Sequence, residues 1–126
     1  MKKLLSLLLL LSTILVGQVN DKNFKSSING GLVVAVFTSE WQEQPFDKDI
    51  VSGIEGYEDA EIIFVKSEDA PKATKKLRLR NFPSVVLFKN GKKVKVWKAD
   101  FDGNLDLTTE QVRKAIDWHS AVLKGK

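Results

Sequence analysis

Ser39, Ser84, Glu40, Glu43, His119 and the acidic run from Asp100 to Asp106 are the side chains in this sequence best equipped for chemistry. Nucleophilic catalysis needs an activated hydroxyl or thiol and a base to take its proton. The chain has no cysteine and a single histidine, His119. His119 falls on the apolar stripe of the last expected helix, where a packing role is the ordinary reading. Ser39 and Ser84 have no recognisable base beside them. Glu40 and Glu43 are two carboxylates on one polar turn, which suits solvation better than paired acid–base work. Asp100-Phe101-Asp102-Gly103-Asn104-Leu105-Asp106 spaces oxygen side chains at alternate positions, as a hard cation requires. An EF-hand loop needs Gly at its sixth position and Glu at its twelfth, where Leu105 and Gln111 stand here. A solvated turn is the better reading, so no catalytic residue, metal site or cofactor is expected.

Binding is better supported than catalysis. Trp41 lies on a polar turn, where a large aromatic either packs locally or serves as a contact for a partner. Lys89, Lys92, Lys93, Lys95 and Lys98 crowd one hairpin, and Lys72, Lys75, Lys76, Arg78 and Arg80 precede it. Such a stripe suits an anionic surface, but lysines on an edge hairpin also block sheet-to-sheet aggregation. The second reading is preferred.

The apolar pattern sets out the elements that position these residues. Phe24 and Ile28, four apart, predict a short helix within 20–29 that Gly30-Gly31 breaks. Leu32 to Phe37 is a continuous apolar run, as in a strand buried on both faces. A turn follows over 38–44. Pro45 suits a first helical turn, and Phe46, Ile50 and Ile54 predict a helix ending at Gly56. Ile62 to Val65 is a second buried strand. Glu68-Asp69-Ala70-Pro71 opens a helix that runs to about Leu77. Phe82-Pro83 is a non-helical junction. Val85 to Phe88 is a strand, Asn90-Gly91 a hairpin turn, and Val94 and Val96 alternate with lysines beyond it. Thr108 and Gln111 form a capping box before a helix with Val112, Ala115, Ile116, His119, Val122 and Leu123 on one face. This order predicts an α/β three-layer sandwich: a mixed central sheet flanked by helices.

That order, the Trp-containing turn after the first strand, and Asn81-Phe82-Pro83-Ser84 before an apolar strand together resemble the thioredoxin family. The likeness covers about residues 22–124, and its most specific stretch is residues 65–91. It implies that Pro83 is cis beside the former dithiol position. It also implies that Phe82 offers backbone groups to an extended peptide. The departures agree with one another. Gln42 and Pro45 stand at the two thiol positions, with Glu43-Gln44 between them. Val36 replaces a buried Asp that moves protons in the family, and Phe64 replaces the Lys often paired with it. Without a thiol, dithiol–disulfide exchange cannot occur, so the chain reads as a redox-inactive member and not as an enzyme.

Lys2 and Lys3 followed by the apolar run Leu4 to Val16 resemble an export signal. Thirteen residues rise about 20 Å as a helix, short of a bilayer core of roughly 30 Å. Residues 1–17 are therefore expected to be a signal peptide cleaved after Gly17, or else an uncleaved membrane anchor. Residues 18–126 form one domain. Removing Lys2 and Lys3 from 20 basic residues leaves 18 against 16 acidic ones, a net charge of +2. With export to a periplasmic or extracellular location, that argues against a nucleic-acid partner. The expected function is a protein- or peptide-binding, chaperone-like module whose groove is Trp41, Gln42, Glu43, Gln44, Pro45, Phe82 and Pro83. The alternative is a structural subunit of a larger envelope or particle assembly. Any membrane contact would run through the N-terminal segment alone.

Overall fold

A computed structural model describes residues 19–42 and 44–124, with side chains placed except at positions 58 and 121–124. The expected export segment, residues 1–17, and Glu43 lie outside the described residues. The elements are α1 (Phe24–Ile28), β1 (Leu32–Thr38), α2 (Asp49–Ser52), a 3-10 turn (Tyr57–Asp59), β2 (Glu61–Lys66), α3 (Pro71–Lys76), β3 (Ser84–Lys89), β4 (Lys92–Lys98) and α4 (Thr109–Lys124). The strands form one sheet in the order β2-β1-β3-β4. β1 runs parallel to β2 and antiparallel to β3, and β3 and β4 form the expected hairpin.

β1 alternates between two dry layers, as successive side chains in a strand must. Val33, Ala35 and Phe37 join the cluster that contains Ile28 of α1 and Ala73 of α3. Leu32, Val34 and Val36 join the other cluster, with Ile50 and Val51 of α2 and Val112 and Ile116 of α4. Two helices thus cover each face, which is the three-layer sandwich expected. Phe24 anchors α1 through ring contacts with Phe37 and Phe88 at 6.0 and 5.8 Å.

Two expectations are corrected. The helix expected from Pro45 begins only at Asp49 and lasts four residues. A helix starting at Pro45 would use the Gln44 carbonyl as its first acceptor, but the Gln42 side-chain amide already donates to that oxygen at 2.8 Å. The chain stays irregular until the Asp47 carboxylate accepts the Asp49 N–H at 3.0 Å. Ile50 and Ile54 are still buried and Phe46 half-buried, so the stripe reaches the core without one continuous helix. Secondly, β2 is not buried on both faces. It is an edge strand, and the brief α2 leaves Phe64 45% exposed, in contact with Phe46 at 6.4 Å.

β4 is the other edge, and its four lysines, Lys92, Lys93, Lys95 and Lys98, follow the edge-protection pattern. The capping box forms as read: Gln111 Oε1 accepts the Thr108 N–H at 2.9 Å, and Thr108 Oγ1 accepts the Gln111 N–H at 3.2 Å. α3 has no capping side chain of its own at Ala70. Its orphan donors go to Asp21, whose carboxylate accepts the N–H groups of Lys72 and Ala73 at 3.2 and 3.0 Å. Asp21→Ala removes both acceptors and is expected to cost about 1 kcal/mol. A lowered urea midpoint with an unchanged slope checks this, and Asp21→Asn should retain part of the loss.

Candidate functional site

Strand register decides which loops meet. Phe37 near the end of β1 lies opposite Ser84 at the start of β3, and Ser84 lies opposite Lys98 at the end of β4. The loops beyond these residues, 39–48, 81–83 and 99–108, therefore converge at one end of the sheet. Ala99 donates to the Pro83 carbonyl at 3.2 Å, holding the last loop against the proline. The Phe82–Pro83 bond is cis. Gly103, at φ +82°, turns the 99–108 loop back here, and a methyl group added to it would lie 3.5 Å from Gln44 N and 3.6 Å from Phe82 O. Sequence reading found the turn at 100–106 but gave no sign that it would pack beside Gln44 and Phe82.

The turn after β1 is stitched internally. Gln42 Oε1 accepts the Ser39 N–H at 2.8 Å while Gln42 Nε2 donates to Gln44 O at 2.8 Å. The Ser39 hydroxyl donates to Glu68 Oε2 at 2.7 Å, and the Glu40 N–H donates to the same oxygen at 3.2 Å. The sequence placed Glu68 only at the entry to a helix; it is 29 residues from Ser39 and no local pattern joins them. The Ser39 hydroxyl chiefly, helped by backbone N–H groups, holds the Glu68 carboxyl below its ordinary value of 4.5. A carboxylate stabilised in this way is a weakened base, and its bonds to Ser39 and Glu40 secure the turn. His119 sits on α4, and burial followed by the charge of Lys89 holds its pKa below the ordinary value. Asp100 directs its carboxylate to the N–H groups of Asp102 and Asn104 at 3.0 and 2.9 Å, as in a self-satisfied turn.

Trp41 is 64% exposed, and its ring stands perpendicular to Phe82 with centroids 5.5 Å apart. Together they border a cleft of about 780 Å³ floored by Pro71 and Leu79. Of the expected groove residues, only Trp41 and Phe82 line this cleft among the described residues. Gln42 is half-buried with its amide committed to the turn, Gln44 and Pro45 are exposed, and Pro83 is buried. Instead of following the chain from 41 to 45, the hollow continues along α3, past Thr74 and Lys75 to Arg78 and Arg80. Of the basic residues grouped from sequence, Lys75, Arg78 and Arg80 line the cleft, while Lys92, Lys93, Lys95 and Lys98 lie on the β4 edge.

α3 ends so as to aim Arg78 at that rim. The Leu79 N–H reaches Thr74 O at 3.1 Å and the Arg78 N–H reaches Lys75 O at 3.0 Å, the two bonds of a Schellman motif. Arg78 takes the left-handed position of the motif, φ 59°, where glycine is the usual residue. Lys98 Nζ donates to its carbonyl at 3.2 Å.

No protein-family model and no curated protein matches this chain. Solved structures do. A single-substitution variant of thioredoxin from Halobacterium salinarum NRC-1 is 15% identical, with a TM-score of 0.64 over 82% of this chain and 88% of its own. Thioredoxin from Malassezia sympodialis (Mala s 13) is 22% identical, with a TM-score of 0.58 over 82% of this chain and 90% of its own. The chain therefore has the thioredoxin fold, and with no cysteine it carries out no thiol–disulfide exchange. Val36 and Phe64, where the sequence resemblance implies an Asp and a Lys, lie directly opposite one another across β1 and β2.

Two outcomes follow from this geometry. Because the Glu68 carboxyl is held down in the fold, its contribution is fully present above its unfolded value and is lost as pH falls through its folded one. Glu68→Gln should show a shallower loss of thermal midpoint than the parent as pH is lowered from 5 to 3. Introducing Gln42→Cys with Pro45→Cys should give a reductase at least about tenfold slower than an ordinary thioredoxin in insulin reduction, since no group moves protons at Val36 or Phe64.

Proposed function

We propose that this thioredoxin-fold chain is an exported, thiol-free binding module that holds an extended segment of a partner protein in the cleft between Trp41 and α3. One observation carries the reading: an exposed Trp supported edge-on by Phe82 at the mouth of a largely apolar hollow. Trp offers a large rigid contact area at small entropic cost and is enriched among residues that dominate binding energy. Its support by Phe82 pre-sets the ring, which lowers the cost of ordering it on binding. The resemblance adds backbone pairing at Phe82 as the means of aligning an extended chain. Export rests on Lys2, Lys3 and the apolar run Leu4 to Val16.

A second reading, a subunit of an envelope or particle assembly, draws on different residues. Phe101 and Trp118 are 97% and 69% exposed and belong to neither wall of the cleft. Large exposed aromatics of this kind suit contacts between subunits.

The two readings separate by experiment. Trp41→Ala, at a largely exposed position, should lower stability by no more than about 1 kcal/mol, the worth of its ring contact with Phe82, while weakening capture of extended peptides about tenfold or more. Undiminished capture would move binding away from the cleft. A monomer with residues 1–17 removed, seen by intact mass and size-exclusion chromatography, supports the module. An uncleaved oligomer that Trp118→Ala dissociates supports the assembly.

A further inference from the structure

We propose that the segment held in this cleft is acidic: a short extended stretch of Asp and Glu around one or two apolar residues. The inference rests on the cleft being a peptide site and adds the chemistry of its occupant.

The cleft has apolar lining and a mainly positive rim. Pro71 and Leu79 with the bordering Trp41 and Phe82 supply the apolar part, and Lys75, Arg78 and Arg80 supply three cations beside it. Among the described residues the one ion pair is Lys114–Glu110 on α4. None of the three rim cations therefore has a described carboxylate partner within bridging distance. Glu68, the one acidic residue lining the hollow, already accepts from the Ser39 hydroxyl and the Glu40 N–H. Its one negative charge against the three positive ones leaves the lining residues at a net +2, and concave walls concentrate the resulting field.

Arg78 strengthens the case. It occupies the left-handed C-terminal position of α3, where a side chain is disfavoured and glycine would relieve the backbone. A cation held there against local preference places a guanidinium on the rim, with a planar fork that matches a carboxylate. The Trp41–Phe82 pair accounts for an apolar residue within the segment, and the rim accounts for carboxylates on either side of it. A concave, aromatic-lined site favours a chain segment over a flat anionic surface.

The test uses fluorescein-labelled octapeptides with a central Leu-Phe pair flanked by Asp and Glu, by Asn and Gln, or by Lys, titrated with the cleaved domain, residues 18–126, and with the full chain. The acidic peptide should bind about tenfold tighter than the neutral one at low salt, and most of that difference should vanish near 0.3 M salt. Arg78→Gly should weaken the acidic peptide about fivefold, leave the neutral one unchanged and raise the thermal midpoint, so that lost binding cannot be ascribed to lost folding. Lys75→Gln with Arg80→Gln gives the same selective loss at positions with ordinary backbone. Equal binding of acidic and neutral peptides, both abolished by Trp41→Ala, overturns the acidic inference and leaves the cleft reading standing. Binding of none of the peptides overturns both. Rim-dependent binding to phosphatidylglycerol vesicles with no acidic-peptide binding overturns it in favour of a membrane surface.

Discussion

Val33, Ala35 and Phe37 face one helical layer while Leu32, Val34 and Val36 face the other, and this two-sided desolvation of β1 constrains nearly everything else. A slip of one residue would exchange the two sets of side chains and leave both layers mismatched. Register with β2 and β3 is therefore fixed by packing, and packing has to suffice because no disulfide is available. Once Phe37 is held opposite Ser84, the turn after β1 and the loop before β3 must meet. Trp41 stands against Phe82 because of that strand pairing, which lies entirely in the dry interior.

The same pairing explains how the interior accommodates an apolar pair where the resemblance to thioredoxins implies an Asp and a Lys. Val36 and Phe64 are direct neighbours across a parallel ladder, so replacing both partners leaves neither charge stranded. Val36 is fully buried and packs in the α2–α4 layer. Phe64 sits on an edge strand and is covered only partly, by Phe46. The apolar substitution is thus complete on the inner strand and only half sheltered on the outer one, because α2 is so brief.

Local patterns were legible and distant partnerships were not. The Val-rich run of β1, the Asn90-Gly91 hairpin and the Thr108–Gln111 capping box are encoded within a few residues, and the structure has all three. The pairing of Trp41 with Phe82 was legible as well, though only through the family resemblance. The helix expected from Pro45 failed because a side-chain amide two residues upstream of Gln44 claimed a backbone oxygen, an outcome that apolar spacing does not encode. Asp21 capping α3 and Glu68 securing Ser39 span 52 and 29 residues, and only the tertiary fold brings them together. The course of the cleft along α3 was missed for the same reason. It depends on where α3 docks and on Arg78 taking a left-handed backbone that sequence assigns to glycine.

Gln42 spans its turn with one amide, receiving from Ser39 and giving to Gln44, at a position where the resemblance to thioredoxins implies a thiol. A dithiol there would give the turn two covalent states, set by the electron supply of its surroundings. An amide bridge has no such second state, so the turn beside the Trp41–Phe82 pair is held by the same bonds in oxidising and reducing surroundings alike.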